Sequence, residues 1–194
     1  MMIFKNKKSI RLKGCDYGAP GLFYITICSK DRNEVFGEIV NDRMVLSTIG
    51  EIVNAEWEAT ERLRQNVKLH EFVIMPNHLH GIIEILDLKR RIDVNQSVQT
   101  KDIDCEVGVD CHQPTFQNNG NFNQYGPQRN NLFSIIRGFK ANVTKRVRNE
   151  IDPYIHIWQT RFYDHLVRDQ ADLERIRYYI NTNVENWQHD RNNI

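Results

Sequence analysis

Two histidines with one residue between them, His78 and His80, sit in the run Phe72 to Leu86, FVIMPNHLHGIIEIL. The run is apolar enough for a buried strand, and on a strand residues two apart point to one face. The spacing predicts two imidazoles side by side, with Leu79 directed to the other face. Neutral imidazoles in such a pair are good ligands for a divalent ion. A second pair lies near the other end of the chain. Tyr179 and Asn183 are one turn apart on one face of a predicted helix. An activated phenol is a nucleophile, and an amide oxygen is a third ligand to set beside two imidazoles. Tyr178 is a rival phenol. It is rotated by about 100° from its neighbour on a helix and does not share that neighbour's relation to Asn183. Two imidazoles and one amide oxygen leave positions open on the ion. Mg²⁺ prefers oxygen and Mn²⁺ accepts imidazole more readily, so both stay open as the metal. Glu84 lies on the strand face of His80 as a supplementary ligand or a surface carboxylate.

These residues need elements to hold them. Leu22 to Lys30 alternates and is rich in β-branched and aromatic residues, as a strand is. Phe36 to Val40 and Arg43 to Leu46 flank Asn41-Asp42 and suggest a hairpin. Ser47 or Thr48 can cap a helix whose apolar positions, Ile49, Ile52, Val53, Trp57 and Leu63, recur at helical spacing through about Gln65. Val67 to Val73 leads into the histidine run. Pro76 has no ladder donor. It reads as a kink that sets the angle of His78, or as a break between two short strands. Leu132, Ile135, Ile136, Phe139, Val143 and Val147 form the stripe of a second helix. Ile155 to Arg168 contains a strand, and Asp169 can cap a third helix from Gln170 to about Trp187. The elements add up to an α+β fold, an antiparallel sheet of about four or five strands with helices packed on its faces, of ferredoxin-like type.

The chain has 194 residues, 40% hydrophobic and 26% charged, which fits one soluble domain. It has a basic arm over residues 1–21 and a polar insert over 88–131, rich in Asn, Gln, Asp and Gly. No run of 18 apolar residues appears, so no membrane span is expected. The first residues are basic without an apolar core, unlike a secretory signal, and a cytoplasmic location is expected. Cys15, Cys28, Cys105 and Cys111 have no CxxC spacing and read as free thiols. Net charge is only +1, but cations cluster. Lys5, Lys7, Lys8, Arg11 and Lys13 lie in the arm, and Arg137, Lys140, Lys145, Arg146 and Arg148 on the second helix. Such patches follow a phosphate backbone, or are ordinary solvated faces.

A histidine pair within MPNHLH, a Phe-Gly step at Phe36-Gly37, a late Trp57, Phe139-Lys140, the stretch Trp158 to His165 (WQ-x-x-FYDH) and a closing D-L-x-x-I-x-x-Y-I helix occur in one order. In this the chain resembles the single-tyrosine HUH transposases, in particular the REP-associated tyrosine transposases and their insertion-sequence relatives. The likeness covers nearly everything except the insert. It implies cleavage and rejoining of single-stranded DNA at hairpin-associated sites through a 5′-phosphotyrosine. Tyr179 would be the nucleophile, and His78, His80 and Asn183 the ligands of Mg²⁺ or Mn²⁺. Lys5, Lys7, Lys8, Arg11, Lys13, Arg137, Lys140 and Lys145 would contact DNA. Members of the family act as monomers or as homodimers. Many relatives follow the ligand Asn with Pro, whereas this chain has Val184. Asp164 and His165, which follow Tyr163, read either as groups that orient the site from behind or, for His165, as the cap of a strand end. The competing reading is a DNA-binding protein that has lost cleavage and serves repeat maintenance or regulation.

Overall fold

The computed structural model describes residues 16–87, 130–190 and 192–193. The cations Lys5, Lys7, Lys8, Arg11 and Lys13, the cysteines Cys15, Cys105 and Cys111, and the insert up to residue 129 lie outside the described residues.

Strand β1 (Gly21–Cys28) is followed by the hairpin β2 (Gly37–Val40) and β3 (Arg43–Leu46). Asn41 and Asp42 both have positive φ, 51° and 57°, as a two-residue turn of the I′ type requires. Helix α1 (Thr48–Leu63) starts at Ser47, whose side chain accepts from the Gly50 N–H. Strands β4 (Val67–Met75) and β5 (His78–Ile85) come next, then α2 (Leu132–Glu150), β6 (Tyr163–Leu166) and α3 (Gln170–Thr182). The main sheet has the order β4-β5-β1-β6 and is antiparallel throughout. With α1 and α2 as the two crossovers this is the ferredoxin-like α+β arrangement. The helix expected to reach Trp187 ends at Thr182, with Asn183 as its C-cap.

The histidine run is not one strand. It reverses at Pro76-Asn77, so that Met75 pairs with His78 and Val73 with His80. A proline fits there because its missing N–H is not needed, while both turn carbonyls are used: Phe36 N–H donates to Pro76 O and Ser29 N–H to Asn77 O.

Alternation divides the sheet into two faces. Phe23, Ile25, Ile27, Leu79 and Ile83 face α1 and α2 and build the larger core with Trp57, Ile135, Phe139 and Val143. Tyr24 and Ile82 face α3 and pack on Leu173, Ile176 and Ile180. His78 and His80 share the parity of Ile82 and lie on this second face. Tyr17, within the expected arm, is buried in the larger core, and Asn131, within the expected insert, caps α2 through Ser134 N–H. Among the described residues, no helix is long and apolar enough to cross a membrane.

Candidate metal and nucleophile site

Strand β5 lies inside the sheet, between β4 and β1, which fixes the backbone of both histidines. Their side chains are fully buried. The two Nε2 atoms face each other at 2.8 Å. Two nitrogens at adjacent corners of an octahedron, each about 2.1 Å from the ion, would stand about 3.0 Å apart. The pair is thus held close to the spacing that a shared ion requires.

Each ring is oriented by its other nitrogen. Asn77 Nδ2 donates to Arg32 O at 3.2 Å and to Asn192 O at 2.9 Å, which turns Oδ1 toward His78 Nδ1 at 2.7 Å. That oxygen accepts only, so His78 carries its proton on Nδ1 and presents a lone pair at Nε2. His80 Nδ1 is met by the hydroxyls of Tyr24 at 2.8 Å and Thr26 at 2.9 Å. Hydroxyls serve as donor or acceptor, so they hold the ring in either tautomer.

The phenol arrives from α3, which is tied at its first turn. Asp169 caps it by accepting from Asp172 N–H at 2.8 Å. Asp172 Oδ2 takes His165 Nε2 at 2.7 Å and Arg168 N–H at 3.3 Å, and Oδ1 binds Arg175. Burial opposes charge on Asp172, but the hydrogen bonds from His165, Arg175 and Arg168 prevail and hold its carboxyl below the ordinary range. Further along, Arg177 Nε pairs with Glu71 Oε1 on β4 at 2.9 Å. Tyr179 consequently stands over the histidines, with its Oη 3.4 Å from His80 Nε2 and its ring edge-on to those of Tyr24 and His80. Tyr178 is 72% exposed and turned outward.

Asp190 was not foreseen. After α3 the chain turns back through Trp187, whose ring lies 6.0 Å from that of His78, and brings a carboxylate to the site. Its ligand oxygen lies within 4.8 Å of ligand nitrogens of His78 and His80. Tyr179 Oη donates to Asp190 Oδ2 at 2.9 Å, and Asn183 Nδ2 donates to the same oxygen at 3.2 Å. Burial pushes the Asp190 carboxyl up, but the Asn192 N–H, the Tyr179 hydroxyl, the attraction of the His78 ring when it is protonated and the Asn183 amide outweigh it and leave it below the ordinary range. Asn183 is buried, and its Oδ1 has no hydrogen-bond partner among the described residues. A buried amide oxygen left so is costly unless a cation or water meets it. Two imidazole nitrogens and the Asp190 carboxylate form a mixed donor set that fits a divalent ion.

Other expected residues lie elsewhere. Glu84 binds His70 Nε2 at 2.8 Å. Arg137 and Lys145 are exposed on α2, across the sheet from the histidines. Lys140 is half-buried, donates to Gln159 O at 2.8 Å and lies over the rings of Trp158 and Phe162. Cys28 is buried and is in no disulfide.

No family model matches the sequence. An uncharacterized protein of Haemophilus influenzae is 34% identical over 186 residues, spanning 96% of this chain and 92% of that protein. The chain belongs to the family of that protein. Among solved structures, a REP-associated tyrosine transposase bound to a REP hairpin superposes with a TM-score of 0.51. It is 16% identical, and the match covers 87% of this chain and 68% of the transposase. At that identity the likeness is one of fold, and this family member shares it.

Proposed function

We propose that this protein is a metal-dependent endonuclease and strand transferase of the single-tyrosine HUH kind, acting on single-stranded DNA beside a hairpin. The observation that carries the reading is the approach of Tyr179 Oη to 3.4 Å from His80 Nε2 and 2.9 Å from Asp190. A phenol within reach of a paired-imidazole site is the arrangement that in-line attack on a held phosphate requires.

His78, His80 and Asn183 would hold Mg²⁺ or Mn²⁺, with Asp190 as a further donor. When bound, the ion would neutralise charge on the scissile phosphate and polarise it. Tyr179 Oη attacks phosphorus as the bond to the 3′ oxygen breaks. The 5′ side stays on the tyrosine, and the 3′ oxygen leaves with a proton from solvent. Asp190 Oδ2, which already accepts the hydrogen bond of the Tyr179 hydroxyl, takes the phenol proton. One phosphodiester replaces another, so attack by a second 3′-OH reverses the step without ATP. Arg137 and Lys145 lie on the far face of the sheet, suited to a stem rather than to the strand being cut. The hairpin in the structure of similar fold supports such a partner.

The test is incubation with a pool of labelled hairpins carrying randomised single-stranded flanks, in Mn²⁺ or Mg²⁺. Wild type forms an adduct that survives denaturing gels. Tyr179→Phe forms none yet keeps hairpin binding, and His78→Ala with His80→Ala loses the metal dependence. An adduct that persists in Tyr179→Phe refutes the role of Tyr179. Binding by wild type without any adduct favours the non-cleaving DNA-binding reading.

A further inference from the structure

Tyr163 opens β6, the edge strand, with 40% of its surface exposed. It is paired across the ladder with Thr26, so its side chain lies on the sheet face of Thr26 and His80. Its ring meets the edge of Tyr24 at 6.2 Å and 68°. Tyr24 is buried, its hydroxyl is fixed on His80 Nδ1, and its ring meets that of Tyr179 at 6.4 Å. One buried ring therefore separates an exposed aromatic from the nucleophile, and the same ring orients a histidine of the pair. Tyr154 and Tyr178 are more exposed, at 85% and 72%, but among the described residues no ring contact ties either to the histidines. Arg161, two residues before Tyr163, is exposed as well.

We propose that Tyr163 is a stacking platform for a nucleobase of the bound single strand, next to or one removed from the phosphate that Tyr179 attacks. The inference rests on the function proposed above and adds the surface that sets the register of the strand. Extended single strands bind by charge along the backbone and by stacking of bases on aromatic faces, and every base has such a face. A platform held against Tyr24 loses little freedom when a base settles on it, which favours binding in one register. Arg161 supplies charge for a neighbouring phosphate.

The experiment measures binding of a hairpin with oligo-dT tails by fluorescence anisotropy, for wild type, Tyr163→Phe and Tyr163→Ala. Loss of one stacked base weakens binding by roughly 5- to 150-fold. The dissociation constant should rise about tenfold in Tyr163→Ala by the same reasoning and stay near wild type in Tyr163→Phe. An abasic nucleotide walked along the tail should reproduce that loss in wild type at one position and add nothing there in Tyr163→Ala. A tail with 5-iododeoxyuridine at that position should photocrosslink to Tyr163. Equal binding by wild type and Tyr163→Ala, or abasic losses that add in full at every position, would overturn the proposal. The two readings fail separately. Adduct formation with no effect of Tyr163→Ala removes the platform alone, whereas a Tyr163 effect on binding without any adduct removes the cleavage chemistry alone.

Discussion

Asn77 is one buried side chain doing two jobs, and two substitutions separate them. Its amide donates to the carbonyls of Arg32 and Asn192, and its oxygen faces His78 Nδ1. At about 1 kcal/mol for each of these hydrogen bonds, Asn77→Ala should lower stability by about 3 kcal/mol. It also frees the His78 ring to adopt the wrong tautomer. Loss of a partner of this kind weakens metal binding by about 10- to 100-fold. Asn77→Asp keeps an acceptor for His78 Nδ1 but sets a carboxylate against two carbonyls, so it should be destabilised comparably. The assay is Mn²⁺ titration by calorimetry, or by the paramagnetic resonance signal of the free ion, beside a thermal melt of each variant. Metal affinity should fall in Asn77→Ala and stay within a few-fold of wild type in Asn77→Asp, although both melt early. Equal losses of affinity in the two variants would show that folding, not ring orientation, governs the site. Unchanged affinity in Asn77→Ala would refute the tautomer argument.

Two further outcomes test the fold around the site. In Gly81→Ala the new Cβ would stand 2.6 Å from Trp57 Cζ2 and 3.3 Å from Phe72 Cβ, with Trp57 fully buried. Overpacking of this kind costs about 1–3 kcal/mol, so a thermal melt should show a drop of a few to about ten degrees. Burial pushes the Lys140 amine down from its ordinary 10.5 to about 8, against a smaller opposite pull from Cys28. The unfolded chain then holds this proton more tightly than the folded one, so Lys140 makes stability rise with pH from about 8 to 10.5 and adds no slope below that window. Denaturant melts across this range should show the rise in wild type and a smaller one in Lys140→Met.

The histidine pair was legible because strand alternation is rigid, and the phenol because helical spacing ties Tyr179 to Asn183 while turning Tyr178 away. The β2–β3 hairpin was legible in Asn41-Asp42, two residues that tolerate positive φ. Pro76 was not: a proline within an apolar run is compatible with a kink or with a reversal, and only the pairing of Met75 with His78 decides. Asp190 left no local signal. It sits in a polar stretch without periodicity, and its approach depends on a chain reversal after Asn183, within the stretch that reads as helix to about Trp187. Lys140 sits beside the apolar stripe of its helix and reads as surface. Its burial depends on Trp158 and Phe162, which arrive from another segment.

The place of β5 in the sheet divides the site mechanically. Moving either imidazole means breaking ladders on both flanks of an interior strand. The phenol rides on one helix, laid over the outside of the sheet by a small apolar patch and a few ion pairs. Amides of β5 should therefore exchange with deuterium only on global opening, while those of α3 exchange through smaller, cheaper excursions. The imidazole pair stays put while the phenol has slack, a division of labour suited to the strand exchange proposed above.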